Sequence, residues 1–232
     1  MKGKLYLLPV TLGTKTFRHV IPEDVIKIIC GLRHFIVEDI RSARRYLRQL
    51  DPSFPIDDSD FQVLNEHSSP DEISKLIDTV KEGNDAGIMS EAGLPGIADP
   101  GSPLVMIAHR AGIEVKPLSG PSSIFLAIMA SGLNGQNFTF NGYLPVKGDE
   151  RVSAIKSLER EASKGVSQVF IETPYRNQKL FDDIVSTCRP ETRLCIAADI
   201  TAPTEYIRTL TIREWSRLDP GLNKRPAVFI IG

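Results

Sequence analysis

Ser90-Glu91-Ala92-Gly93-Leu94-Pro95-Gly96-Ile97-Ala98-Asp99-Pro100-Gly101 is the stretch whose reading decides the rest. It follows a short apolar run, Ala86-Gly87-Ile88-Met89, and precedes Ser102-Pro103, which reads as an N-cap with proline at the first helical position. The pattern is a strand, a glycine-rich loop, then a helix. Three glycines and two prolines make the loop tight and rigid. Glycine lets backbone amides come close to a ligand, and proline lowers the entropic cost of holding one shape. Taken alone, the loop suits an ordinary strand-to-helix turn as well as a binding loop.

Working outward, short apolar runs alternate with amphipathic segments, the pattern of an α/β fold. Strands are expected at Leu5 to Leu8, His34 to Val37, Phe61 to Leu64, Ile88 to Ser90 and Ile113 to Pro117. Helices are expected at Pro22 to Ile29, at Ile40 to Leu50, and after Gly101. Ser69-Pro70-Asp71-Glu72 is a capping box opening one further helix that carries Ile73, Leu76, Ile77 and Val80 and stops at Gly83. The polar, proline-broken segment from Asp51 to Asp60 reads as an exposed loop. Gly120-Pro121-Ser122-Ser123 opens a helix ending at Gly132. Beyond it the chain is richer in strands: Phe138 to Tyr143, Gln168 to Glu172, Leu194 to Ala197, Tyr206 to Leu210 and Ala227 to Ile231, with helices after Asp149 and Pro174. Two α/β domains follow from this, residues 1–117 and 118–232.

The chain has 232 residues, of which 41% are hydrophobic, enough for a substantial core. A net charge of −1 means that nucleic-acid binding would need a local patch. Cys30, Cys188 and Cys195 lack metal spacing and read as reduced core thiols of a cytoplasmic protein, and the four histidines form no ligand pair, so no metal is expected. The N-terminus runs straight into a strand, without the pattern of a signal peptide. No apolar run approaches the roughly 18 residues that span a bilayer, so no membrane partner is expected. Neither a phosphate-binding G-x-x-x-x-G-K-[ST] loop nor a G-x-G-x-x-G fingerprint is present.

Five segments, in order, resemble the tetrapyrrole methylase superfamily of S-adenosylmethionine-dependent methyltransferases, and within it the ribosomal small subunit methyltransferase I family. Glu38-Asp39-Ile40-Arg41 resembles E-D-T-R. The Ser90 to Gly101 stretch resembles S-D-A-G-T-P-x-I-S-D-P-G, and Ser119-Gly120-Pro121-Ser122-Ser123 resembles P-G-P-S-[AS]. Phe140 to Pro145 with Lys147 and Arg151 resembles F-x-G-F-L-P-x-K and its following arginine, and Glu172-Thr173-Pro174-Tyr175-Arg176 resembles E-S-P-H-R. The first loop departs: Pro9-Val10-Thr11-Leu12-Gly13-Thr14 lacks the family's Asn and Asp, Glu91 replaces an aspartate, Leu94 a threonine, and Asp199-Ile200-Thr201-Ala202 lacks a late lysine.

The resemblance implies a cofactor cleft between two α/β domains, homodimer formation, and methylation of a cytidine ribose 2′-hydroxyl in ribosomal RNA. It places S-adenosylmethionine against Pro9, Thr11, Gly13, Ser90, Glu91, Ala92, Gly93, Asp99, Gly101, Gly120, Pro121, Ser122, Tyr143, Glu172, Ala197 and Ala227. Glu38, Asp39, Arg41 and Lys147 are the candidates for proton transfer or acceptor orientation. Glu38-Asp39 equally suits a helix cap, Glu172 with Arg176 a surface ion pair, and Pro9 to Gly13 a plain turn. Arg41, Arg44, Arg45 and Arg48 recur at helical spacing as a basic stripe, suited to RNA phosphates or to a solvated face. A small-molecule methyltransferase of the same fold and a non-catalytic S-adenosylmethionine-binding protein are the alternatives.

Overall fold

The apolar runs become ten strands in two five-stranded sheets, one in each of two units, Met1–Ser122 and Ser123–Gly232. The structure, a computed structural model, describes residues 1–232.

In the first unit β1 (Lys4–Leu7), β2 (His34–Val37), β3 (Asp60–Val63), β4 (Ala86–Met89) and β5 (Glu114–Pro117) form an all-parallel sheet in the order β3-β2-β4-β1-β5. β4 is buried at every position, as a strand covered on both faces must be. Helices α1 (Glu23–Gly31) and α2 (Ile40–Leu50) cover one face through Val25, Ile29, Ala43, Tyr46 and Leu47. Helices α3 (Pro70–Lys75), α4 (Asp78–Lys81) and α5 (Ser102–Arg110) cover the other through Ile73, Val80, Leu104 and Ala108.

Three local expectations need correcting. The single helix expected from Pro70 to Gly83 is two, because the Leu76 N–H bonds back only three residues to the Ile73 carbonyl and tightens the turn there. Its capping box does form, with Ser69 and Glu72 bonded reciprocally. The Asp51 to Asp60 segment is not simply exposed: Phe54 and Ile56 are buried, and Phe54 meets Phe35 edge-on at 5.9 Å. At α5 the cap is Gly101 rather than Ser102, whose hydroxyl instead donates to the Gly96 carbonyl at 3.2 Å.

The division between units falls after Ser122. Residues 118–122 stay with the first unit, where the Leu118 N–H bonds to the Leu7 carbonyl and Gly120 lies against Pro9.

The second unit comprises α6 (Ser123–Ser131), β6 (Phe138–Tyr143), α7 (Gly148–Ala162), β7 (Ser167–Glu172), α8 (Asn177–Thr187), β8 (Arg193–Ala198), β9 (Tyr206–Thr211), α9 (Ile212–Trp215) and β10 (Ala227–Ile231). Its sheet runs β6-β7-β10-β8-β9, parallel between β6 and β7 and antiparallel elsewhere. β10, buried at all five positions, enters as the central strand. The short α9 is not apparent in the sequence, although Thr211 and Glu214 form its capping box. It buries Trp215, whose indole N–H donates to the Leu194 carbonyl at 2.9 Å. No helix is long and apolar enough to cross a membrane.

One ion pair is enclosed in this unit. Arg151 donates from Nε to Asp183 at 2.7 Å and from Nη1 to the Val146 carbonyl at 2.8 Å, with its side chain only 6% exposed. Asp183 also pairs with the exposed Lys179 at 2.9 Å, so Arg151→Ala removes the enclosed hydrogen bonds without leaving the carboxylate unpaired, and it is expected to cost about 2 kcal/mol of stability, measured as a lowered midpoint in urea with an unchanged slope.

Candidate cofactor and acceptor site

Neighbouring strands β1 and β4 send their chains to opposite faces of the sheet, β1 to α1 and β4 to α5. Such a reversal opens a crevice beyond the carboxyl ends of the strands, where α/β folds bind ligands. At this point an isolated antiparallel bridge joins the two loops: Val10 N–H to the Gly93 carbonyl at 2.8 Å, and Gly93 N–H to the Val10 carbonyl at 3.1 Å. Gly93 adopts φ +77°, which a side chain would strain, and a Cβ there would lie 3.3 Å from Leu12. A Cβ on Gly120 would lie 2.1 Å from that of Pro9. Pro9, Gly93, Gly120 and Pro121 are therefore drawn together. Tyr46, which nothing in the sequence singles out, donates its hydroxyl to the Pro9 carbonyl at 2.9 Å and pins this cluster to α2.

The threonines of the first loop face inward. Thr11, buried, donates to the Thr14 carbonyl at 3.1 Å, and Thr14 donates to that of Thr16 at 2.7 Å. Gly13, at φ +92°, makes the exposed turn between them. Gln49 of α2 braces the loop by donating to the Lys15 carbonyl at 2.7 Å.

In the second loop Asp99 acts as a staple. Its two carboxylate oxygens accept from the Gly96 N–H, each at 2.8 Å, and Oδ1 also accepts from the Gly101 N–H at 2.8 Å. Ala98 beside it takes φ +60°, the left-handed region. Ser90 donates to the Ala92 carbonyl at 3.1 Å, and the Ala92 and Leu94 N–H groups donate to nothing within the protein. Free amides on a rigid loop suit an anionic ligand group. On the α5 side, Leu7, Leu94, Pro95, Ile97, Val105 and Met106 line an apolar cavity of about 370 Å³.

Glu38, Ser90, Asp99 and Gly101 line one narrow crevice with Ile36 and Ile88. The Glu38 carboxyl is pushed up to about 7, chiefly by burial and then by the Asp99 and Glu91 carboxylates, against a hydrogen bond from the Glu91 backbone. Asp39 caps α2, accepting from the Ser42 N–H at 2.7 Å, and that bond holds its carboxyl below the usual range. Arg41, Arg44, Arg45 and Arg48 are all exposed along α2 and form no ion pair. Arg44 lies 5.2 Å from the Phe61 ring centroid, and Arg48 donates to the Pro52 carbonyl at 2.6 Å.

In the second unit Lys147 is exposed at the start of α7 and pairs with Glu150 at 3.3 Å. Ala197 and Ala227 are buried in the adjacent strands β8 and β10. Glu172 is wholly enclosed at the end of β7, so its pair with Arg176, at 2.6 Å, is not the surface contact that the sequence allows. Glu172 Oε1 also accepts from the Thr173 N–H at 2.6 Å, leaving Oε2 unpartnered. Asn177, also buried, donates to the Arg225 carbonyl at 2.6 Å. Tyr143 is exposed.

Solved structures share this fold. The crystal structure of the methyltransferase CobJ is similar with a TM-score of 0.64 and 16% identity, covering 99% of this chain and 94% of that one. The uroporphyrin-III-C-methyltransferase from Thermus thermophilus is similar with a TM-score of 0.59 and 18% identity, covering 100% of this chain and 93% of that one. The model of the tetrapyrrole (corrin/porphyrin) methylases matches residues 25–215. The chain is thus a methyltransferase of α/β architecture, and it belongs to the tetrapyrrole methylase family. Among its relatives, the ribosomal RNA small subunit methyltransferase I of Escherichia coli O157:H7 is 28% identical over 233 residues, which cover 99% of this chain and 78% of that one. The protein of the same name from Haemophilus influenzae is 32% identical over 174 residues, 74% of this chain and 60% of that one.

Folded, Glu38 keeps its proton up to about pH 7, whereas unfolded it loses it near pH 4.3. The stability this group contributes is fully present below the unfolded value and is lost as pH rises to the folded one. Glu38→Gln is therefore expected to melt like the parent near about pH 4 and higher than the parent near about pH 8, as calorimetry of both proteins at the two pH values will read.

Proposed function

We propose that this methyltransferase moves the methyl group of S-adenosylmethionine to an RNA hydroxyl, the 2′-hydroxyl of a cytidine ribose in ribosomal RNA. The observation that carries the reading is Glu38: a carboxyl poised near neutral pH, in a crevice at the carboxyl ends of the parallel strands and beside a glycine loop with free amides. The names borne by its relatives support the acceptor.

When bound, the cofactor supplies an electrophilic sulfonium methyl group. The Ala92 and Leu94 amides suit its carboxylate, and the cavity lined by Leu94, Ile97 and Met106 excludes water from an apolar portion. A ribose hydroxyl is a weak nucleophile whose proton must leave, and Glu38, ionised above about pH 7, accepts it at the carboxylate. Asp99 does not compete for that role, because its oxygens are already taken by the Gly96 and Gly101 amides. The α2 arginines, free of acidic partners, meet phosphates, and Tyr46 ties that helix to the first loop.

Two measurements test the reading. The methylation kcat/KM is expected to rise with pH to a plateau above about 7, and Glu38→Gln to lower the plateau by about two orders of magnitude while its affinity for S-adenosylhomocysteine stays at the parental value. Replacing Arg44 and Arg48 together with Ala is expected to weaken RNA binding and flatten log affinity against log salt by about 0.7 for each phosphate no longer neutralised, as fluorescence anisotropy across a salt series will report.

A further inference from the structure

Two of the exposed large side chains of the second unit stand at the same end of its sheet. Tyr143 closes β6 and is 55% exposed; Tyr175 follows β7 and is 78% exposed. The strands are parallel neighbours, with Tyr143 registered on Ile171, so their carboxyl ends lie side by side. Neither tyrosine sits on a loose segment. The β6–β7 register slips between Phe140 and Tyr143, with Gly142 at φ +63°, and such a bulge re-aims the side chain that follows it. Tyr175 is third in the turn Thr173-Pro174-Tyr175-Arg176, closed by the Arg176 N–H on the Thr173 carbonyl at 2.9 Å.

Two exposed cations belong to the same end of the sheet. Arg176 is 40% exposed at its side chain and is fixed from beneath by the enclosed Glu172. Tyr143 is within electrostatic reach of that guanidinium. The Lys224 N–H bonds to the Pro174 carbonyl at 3.0 Å, so the backbone of an exposed lysine with no acidic partner lies against the turn that carries Tyr175. Two carboxylates of this region are engaged internally, Glu172 on Arg176 and Asp199 on Arg225 and Thr204. Rigidly displayed flat rings alternating with cations match unstacked bases alternating with phosphates, since every base offers a π-face and every linkage an anion.

We infer that Tyr143 and Tyr175, with Arg176 and Lys224, form a stacking platform for single-stranded RNA. The inference rests on the RNA reading above and adds a contact surface distinct from the α2 arginines. It gives Tyr143 and Tyr175 a partner on the acceptor side: bases splayed from a loop stack on the phenol rings while the cations hold the intervening backbone.

The test uses the full chain and a short single-stranded RNA containing 2-aminopurine, whose fluorescence is quenched by ring stacking. Tyr143→Ala with Tyr175→Ala is expected to weaken binding by about tenfold or more for each ring removed and to abolish the quench. Tyr143→Trp with Tyr175→Trp restores both. The salt dependence of the Ala variant stays parental, whereas Lys224→Ala lowers its slope by about 0.7. Melting temperature is expected to be unchanged in every variant, and S-adenosylhomocysteine affinity to be unchanged in the separate Tyr175→Ala and Lys224→Ala variants. If the parent binds RNA and the double Ala variant binds it equally well, the platform is overturned and the RNA reading stands. Loss of S-adenosylhomocysteine affinity with RNA affinity retained overturns the platform and makes Tyr143 part of the cofactor site. A parent that binds no RNA overturns both readings.

Discussion

The pair of hydrogen bonds between Val10 and Gly93 is the constraint on which the candidate site depends. It is a scrap of antiparallel pairing beyond the end of a parallel sheet, and it joins loops that the fold sends to opposite faces. Everything near it is sized to let it form. Gly93 takes a backbone conformation that side chains resist, Gly120 offers no Cβ where Pro9 must lie, and Tyr46 ties down the Pro9 carbonyl. A binding loop gains affinity when its shape is fixed beforehand, because less entropy is lost on meeting the ligand. Here the fixing is done by the backbone bridge, by glycines that leave room for it, and by the Asp99 and Tyr46 side chains, and the Ala92 and Leu94 amides stay free.

The carboxylates around the glycine loop divide their labour by environment. Asp99 is engaged by N–H donors, with the Gly96 amide on both oxygens and the Gly101 amide on Oδ1, and so serves as a structural staple. Glu38 is half-buried, meets a single backbone donor, and faces two other carboxylates, so its charge is opposed. The same logic separates Glu38 from its chain neighbour Asp39, which the helix start claims as a cap.

Much of this is legible in the sequence, and the reasons for what is not are physical. The α2 boundaries follow from a strong apolar stripe and an acidic cap, and both ends agree with the structure. The glycine loop and its flanking strand and helix are readable because glycine and proline act locally. What periodicity does not encode is where a hydroxyl or an amide ends up after the chain closes. Thr11 looks like a ligand-lining residue in the sequence and is turned inward by the Thr14 carbonyl. Tyr46 lies on the apolar side of a helix and looks like core, yet its hydroxyl reaches a loop 37 positions away. Glu172 and Arg176 are as readily a surface pair as site residues by spacing alone, yet in the fold the glutamate, at the end of β7 beside Ala227 of β10, is wholly enclosed. The break between α3 and α4 is invisible for a similar reason: Ile73, Ile77 and Val80 keep one buried face whether or not the turn between them tightens.

The place of β10 bears on how the second unit comes into being. Residues 227–231 fill the middle of its sheet, with β7 on one side and β8 on the other. Until that segment is available, β7 and β8 each present a buried-type edge with no partner, and Phe170 lacks Phe229 to stack against. The first unit has no such dependence, since its sheet is complete by residue 117. With synthesis running at about 5 to 20 residues per second, the first unit has several seconds in which to fold while the second remains a set of open strands. Those open edges are the points at which the nascent chain is most exposed to misassociation, and the final strand is what removes them.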